Sequence, residues 1–288
     1  MHSKLSVAAA ILAAALACGC GAATRPADPP AGASGTASAA SGAVGPAGSQ
    51  SSPGKSAPSP SPSPPAPPLA GRVIGIDPGH NGGNFSDPGY IGQLIWNGRE
   101  SETCDTTGTE AASGFTEASF NFDVATDLRA DLIAAGATVV MTRQDNTGVG
   151  PCVTTRAQII NSARADVAID IHADGGPTWG RGFTVLEPVA DGPNDAVISS
   201  SAQFGADVRA ALLQDTSMPE SNYDGVDGLI SRDDLAGLNL TTVPKVIVEC
   251  GNMPNATDAG LLVSGAFQQG LARAFTAAII VFLLGQPG

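Results

Sequence analysis

Three histidines occur in the 288 residues of the chain, and two of them, His80 and His172, sit in matching surroundings. Each closes a short apolar run and precedes a glycine-rich turn, in Ile76-Asp77-Pro78-Gly79-His80-Asn81-Gly82-Gly83 and Ala168-Ile169-Asp170-Ile171-His172-Ala173-Asp174-Gly175. Glycines after a strand let backbone come close to a ligand, and loops carried by a rigid scaffold are where binding and catalytic groups collect. Two imidazoles presented this way suit zinc, because catalytic zinc commonly takes two histidines and one carboxylate and leaves a fourth position to water. Glu117 is a candidate for the carboxylate, since it begins a helical pattern and its first-turn position points toward the same edge; that position equally suits a plain favourable charge at a helix N-terminus. Glu249 follows the β-branched run Val246-Ile247-Val248, so it is expected to be half buried, with a raised pKa suited to a general base or acid. A structural carboxylate paired with a nearby donor is the other reading of Glu249.

These groups need elements to hold them. Residues 72–77, 137–142, 166–172, 182–186 and 243–250 are apolar or β-branched runs bounded by turn residues, and read as strands. Between 120 and 135 the apolar residues Phe120, Val124, Leu128 and Leu132 fall at the helical period, with Gly136 placed to cap the C-terminus. Residues 154–163, 195–213 and 256–284 also read as helices. Alternation of strand and helix implies an α/β fold, a single three-layer α/β/α domain with a mostly parallel twisted central sheet. Ligands collect at the carboxyl ends of such strands, which is where His80, His172 and Glu249 fall. The apolar stretch 277–284 is too short for a membrane span, and extending it backwards meets Arg273 and Gln269, so a core helix is expected. Residues 90–113 form a long polar insertion, expected either as a flap along the crevice or as a passive surface loop.

The N-terminal part has a different composition. Met1 to Lys4 precede an apolar run from Leu5 to Leu16 and the small residues Ala17-Cys18-Gly19-Cys20, the pattern of a secretion signal over residues 1–23. Cys18 and Cys20 resemble the cysteine of a lipoprotein cleavage box, so either is a lipidation candidate; ordinary cleavage is the alternative. Residues 24–70 hold 12 of the 22 prolines and only Val44 and Leu69 as sizeable apolar side chains, and are expected to be a disordered, partly polyproline tether. Residues 71–288 remain as the folded domain, with 11 basic and 26 acidic side chains, a net charge of −15. A nucleic-acid partner is excluded on that charge. The expected product is an exported monomer.

Four segments carry a family resemblance. DPGHNGG, FTEASFNFDVA, IDIHADGG and VIVECGNMPNATDA, in this order, resemble the zinc-dependent N-acetylmuramoyl-L-alanine amidases that cut bacterial peptidoglycan, in particular the compact mycobacterial type. The stretch GLISRDDLAGLN at 228–239 is similar to what precedes the last strand in that family. The resemblance implies that His80, Glu117 and His172 hold one zinc ion, with Glu249 as the catalytic carboxylate. It implies hydrolysis of the amide between the lactyl group of N-acetylmuramic acid and L-alanine of the stem peptide, with peptidoglycan or muropeptides as substrate. Asp77 and Asp170 flank the ligands and would accept hydrogen bonds from the imidazoles. Arg232 and Asn239 would contact the stem peptide, or else form a surface salt bridge and cap a turn. Cys104 and Cys152 lie in polar loops, and the compact relatives are similar there, so they are the expected disulfide pair, leaving Cys250 as a buried thiol. The implied location is the cell envelope, with a lipid anchor at the outer face of the membrane if Cys18 or Cys20 is modified. Two other readings stand beside this one: another zinc hydrolase, a peptidase or deacetylase acting on wall fragments, and a non-catalytic wall-associated lipoprotein. Retention of all three ligands and Glu249 argues against the last.

Overall fold

A computed structural model describes residues 66–285. The expected leader with Cys18 and Cys20, and the tether up to residue 65, lie outside the described residues. In chain order the elements are β1 (Val73–Pro78), α1 (Pro88–Ile91), β2 (Leu94–Trp96), β3 (Ser101–Thr103), α2 (Glu117–Ala134), β4 (Thr138–Met141), α3 (Val153–Ala163), β5 (Val167–Asp174), β6 (Thr184–Pro188), α4 (Ile198–Asp215), β7 (Leu229–Arg232), α5 (Ala236–Asn239), β8 (Lys245–Asn252), α6 (Ala256–Leu262) and α7 (Gly265–Gly285). Six strands form one sheet in the order β4-β1-β5-β8-β6-β7. Its pairs are parallel except β6 with β8. β2 and β3 make a separate antiparallel hairpin. The fold is therefore α/β with a mostly parallel sheet between helical layers, as the alternation of runs implies.

The two layers are unequal, and the difference positions the site. α2, α4 and α7 pack together over one face, where Ile74 and Ile76 of β1, Val167, Ile169 and Ile171 of β5, and Val246, Val248 and Cys250 of β8 join the main core. Side chains alternate along a strand, so the intervening residues Asp77, Asp170, His172, Lys245 and Glu249 fall on the other face. Among the described residues α3 and the short α5 are the helices that cover that face, with small apolar clusters around Ile160 and Ala168 and around Leu238 and Ile247. The thin layer leaves room for charge.

The boundaries differ from the sequence reading in three places. Residues 256–284 form two helices rather than one: Gln268 Nε2 donates to the Leu262 carbonyl at 2.8 Å, satisfying an end carbonyl of α6 and turning the chain before α7. Leu69, expected in the tether, is fully buried in the main core, and its N–H donates to the Ala135 carbonyl at 2.9 Å, so the folded unit takes in residues ahead of Gly71. β7 and the β2–β3 hairpin escape a reading based on apolar runs because they are short and partly exposed. α7 is long and apolar enough to cross a membrane by length and composition, but Phe267, Leu271, Phe275, Ile279 and Phe282 are buried and the helix packs on α2 and α4.

Candidate metal centre and active site

The carboxyl ends of β1, β5 and β8 meet the N-terminus of α2 at one edge of the sheet. α2 begins at Glu117 because Thr116 caps it, its hydroxyl accepting from the Ser119 N–H at 3.3 Å. Glu117 Oε1 lies 2.8 Å from His172 Nδ1 and 3.3 Å from His80 Nε2, and the imidazole rings stand edge to face with centroids 5.0 Å apart. One ligand atom from each of His80, Glu117 and His172 lies within 4.8 Å of the other two. Backbone makes the room: a Cβ on Gly79 would stand 2.2 Å from His172 Cε1, and one on Gly108 would stand 2.7 Å from Glu117 Oε2. His80 itself has φ of 55°, a left-handed conformation that a histidine keeps only where its surroundings over-determine it.

Each member of the trio has a partner behind it. His80 Nδ1 is 3.1 Å from Asp105 Oδ1 and 3.2 Å from the Thr106 carbonyl oxygen. His172 Nε2 is 3.2 Å from Asp170 Oδ1, and Glu117 Oε2 accepts from the Thr109 N–H at 2.9 Å. Such partners fix a ligand's orientation and leave the remaining atoms free for a metal; here those atoms are His80 Nε2, His172 Nδ1 and Glu117 Oε1. This donor set fits zinc. Asp170 thus faces His172 across a 3.2 Å ionic contact, although no well-aligned hydrogen bond from the described residues reaches its Oδ1; Asp77, expected beside an imidazole as well, faces neither. Asp77 accepts from Thr142 Oγ1 at 2.6 Å, Arg156 Nη1 at 3.1 Å and Lys245 Nζ at 2.8 Å, because it faces the thin layer where both cations enter. Burial pushes its carboxyl up, yet the Lys245 and Arg156 charges hold it far below the usual carboxylate range. The acceptor behind His80 is Asp105, from the 90–113 insertion, which the sequence reading missed.

The candidate ligands also hold protons. Burial lowers the proton affinity of His80, but the Glu117 charge and the Asp105 hydrogen bond outweigh it and bring the pKa up to about 9 from the ordinary 6.5. His172 is raised well above its ordinary value, against burial, by Asp170 and Glu117. Because both are raised, their charged contacts stabilise the metal-free fold fully below pH 6.5; the His80 contribution is lost as pH rises through about 9, and that of His172 is likewise lost towards high pH. Metal affinity runs the other way, since ligation requires neutral imidazoles: it is expected to climb over the same interval by about tenfold per pH unit for each proton displaced. Calorimetry at pH 7 in buffers of different ionisation enthalpy counts these protons; metal uptake that releases none would contradict the assignment.

Glu249 is the register partner of His172 on β8. Burial, followed by an opposing pull from His172 and repulsion from Glu117 and Asp174, brings its pKa up to about 8, and its Oε2 has no hydrogen-bond partner among the described residues. Glu249 and the trio line one crevice of about 480 Å³, whose wall includes Glu102, Asp105, Thr106 and Thr109 of the insertion. The hairpin in that insertion is tied down: Asn97 Nδ2 donates to the Asp234 carbonyl at 3.0 Å, and Glu102 Oε1 accepts from the Ala236 N–H at 3.0 Å. Of the flap and passive-loop readings, the geometry matches a fixed wall of the crevice. Tyr223, to which the sequence assigned nothing, donates from its hydroxyl to Asp174 Oδ2 at 2.6 Å at the crevice margin.

Arg232 and Asn239 do not line the crevice. Arg232 makes a two-pronged contact with Asp234, at 2.7 and 2.6 Å. Asn239 is fully buried and donates to the Asp233 carbonyl at 2.8 Å. Both therefore shape the turn that anchors the hairpin, the salt bridge and turn contact that were the alternative to touching the stem peptide. Cys104 and Cys152 are neighbours but are not bonded: both are buried free thiols. Burial, reinforced by a hydrogen bond to Cys152, pushes the Cys104 thiol up to about 12. Cys250 is the buried thiol expected.

Comparison with known proteins gives a consistent result. The N-acetylmuramoyl-L-alanine amidase family matches residues 74–281. The N-acetylmuramoyl-L-alanine amidase Rv3717 of Mycobacterium tuberculosis is 39% identical over 225 residues, spanning 76% of this chain and 89% of that protein. The crystal structure of the N-acetylmuramyl-L-alanine amidase Ami1 from Mycobacterium smegmatis superposes with a TM-score of 0.71 at 40% identity, covering 76% of this chain and 99% of that one. The amidase AmiC2 of Nostoc punctiforme shares the fold at 21% identity, with a TM-score of 0.56 over 75% of this chain and 99% of its own.

Proposed function

The chain belongs to the N-acetylmuramoyl-L-alanine amidase family and hydrolyses the bond between N-acetylmuramic acid and L-alanine of the peptidoglycan stem; we infer that His80, Glu117 and His172 do so by holding one zinc ion and that Glu249 is the catalytic carboxylate. The observation carrying the assignment is Glu117 Oε1, 2.8 Å from one imidazole nitrogen and 3.3 Å from the other, on the same crevice wall as Glu249. Zinc, when bound, supplies the charge that polarises the lactyl carbonyl and acidifies a water molecule. Glu249 takes the proton of the attacking water on Oε2 and returns it to the nitrogen that leaves with L-alanine, so one water is consumed and the acid and amine are formed. Asp105 and Asp170 keep the imidazoles in the tautomers that face Glu117.

The substrate lies in the envelope, so the chain is exported. We ascribe export to residues 1–23, anchoring to lipid on Cys18 or Cys20, reach to a tether from residue 24 that ends ahead of the buried Leu69, and catalysis to a monomeric domain that takes in Leu69 and the residues after it. Digestion of purified peptidoglycan, with and without chelator, followed by mass analysis tests the activity. Loss of lactyl-alanine amides that stops with chelator is expected; peptides shortened from within, with those amides intact, would favour the peptidase reading. Oxidation on export would join the adjacent Cys104 and Cys152 across a loop that contains Glu117, worth about 4 kcal/mol on the chain-entropy account. Titration of the unreduced, denatured domain is then expected to find one thiol, Cys250; three thiols would sink the pairing.

A further inference from the structure

Beneath the candidate metal centre a ring of ionic contacts closes on itself through the thin face of the sheet. His172 Nε2 is 3.2 Å from Asp170 Oδ1, and Asp170 Oδ2 is 3.1 Å from Lys245 Nζ. Lys245 Nζ is 2.8 Å from Asp77 Oδ2, whose other oxygen is 3.1 Å from Arg156 Nη1. Arg156 Nη2 is 3.3 Å from Asp105 Oδ2, and Asp105 Oδ1 is 3.1 Å from His80 Nδ1. Glu117 Oε1 joins the two imidazoles and completes the circuit.

Both cations are deeply buried, Lys245 with 1% of its side chain exposed and Arg156 with 3%. Removing a charge from water is unfavourable, and a well-packed apolar side chain commonly serves stability as well or better. Lys245 opens β8 and is followed by Val246, Ile247 and Val248, so a lysine at that position is not what packing alone would select. What the cations do instead is divide the work behind the ligands. Lys245 bridges the aspartate behind His172 to Asp77. Arg156 bridges Asp77 to the aspartate behind His80, and also donates to the carbonyls of Pro78 and His80 at 2.7 and 2.8 Å, gripping the turn that carries the ligand. Asp77 and Asp105 use both oxygens in hydrogen bonds, while Asp170 faces His172 and Lys245 in ionic contacts alone.

Building on the reading of His80, Glu117 and His172 as metal ligands, we propose that Lys245 and Arg156 are positioning residues of that centre: without touching an imidazole, they fix Asp170 and Asp105, and through them aim His172 Nδ1 and His80 Nε2 at Glu117 before the metal arrives. Lys245 gives the sharper test, because Asp77 keeps Arg156 when Lys245 is removed whereas Asp170 loses its lysine. Zinc affinity is measured by competition with a chromophoric chelator on the parent, Asp170→Asn, Lys245→Met and the double variant, alongside the melting temperature of each in excess chelator. Each single substitution is expected to weaken zinc binding by about 10- to 100-fold. The double variant should bind zinc as Asp170→Asn does, since residues acting through one another do not add. Unchanged zinc affinity in Lys245→Met with a lowered melting temperature would overturn the proposal and leave Lys245 a structural ion; so would losses that multiply in the double variant. If Lys245→Met fails to fold, Asp77→Asn/Lys245→Met, which removes the buried cation together with one of its two partner charges, is compared with Asp77→Asn alone: weaker zinc binding in the double variant supports the proposal and equal binding refutes it. Failure of the underlying reading is recognised separately, by a Glu117→Gln protein that binds zinc as tightly as the parent.

Discussion

Glu249→Gln is expected to lower kcat by about a thousandfold, equivalent to about 4 kcal/mol, while the protein keeps its metal. Glu249 contacts neither imidazole, and its Oε2 has no partner among the described residues, so an amide of the same shape fits without breaking a hydrogen bond. What disappears is the capacity to take and return a proton. Stability separates this from a structural role. Burial raises the Glu249 pKa from the ordinary 4.5 to about 8, so between those values the folded protein must retain a proton that the unfolded chain releases, and the fold becomes less favoured as pH rises. Glutamine removes that penalty. The chelator-treated variant is therefore expected to melt at the same temperature as the parent or higher at pH 7.5, whereas a carboxylate needed for packing would show a loss. Metal content, kcat on muropeptides and a thermal melt answer the three points together.

What was legible in the sequence follows the range of the interactions. His80, His172 and Glu249 end apolar runs, and Glu117 opens a helix, so their placement at one sheet edge follows from local pattern together with the rule that parallel sheets gather ligands at strand ends. The partners behind them follow from no local pattern. Asp77 has the right strand position and the right face, but its companions Arg156 and Lys245 lie 79 and 168 residues away, and only the fold shows that they claim it. Asp105 sits in a polar insertion with no periodicity to betray it. A signal did exist for Lys245: a lysine between Pro244 and Val246, at the head of a strand buried on both faces, has to be paired with acids, and Asp77 and Asp170 occupy equivalent places on the neighbouring strands. Arg232 shows the opposite case, because its acceptor, Asp234, is two residues away, a partner that local sequence does offer.

His172→Ala should separate binding from chemistry by failing at the earlier step. It leaves Glu117 and His80 as a two-ligand remnant, and a site that lacks its metal loses both carbonyl polarisation and water activation, several kcal/mol in all, so turnover is expected to fall by about 10⁴-fold. The fold should survive. Asp170 keeps its 3.1 Å contact with Lys245 and Glu117 its 3.3 Å contact with His80, and β5 remains paired with β1 on one side and β8 on the other, so the ionic ring loses two contacts without leaving a buried carboxylate stranded. Elemental analysis after dialysis is expected to find almost no zinc in His172→Ala and a full complement in Glu249→Gln, with the same far-UV dichroism in both. A His172→Ala protein that still holds one zinc ion would move the metal elsewhere. Equal metal loss in the two variants would make Glu249 a ligand in place of the proton carrier.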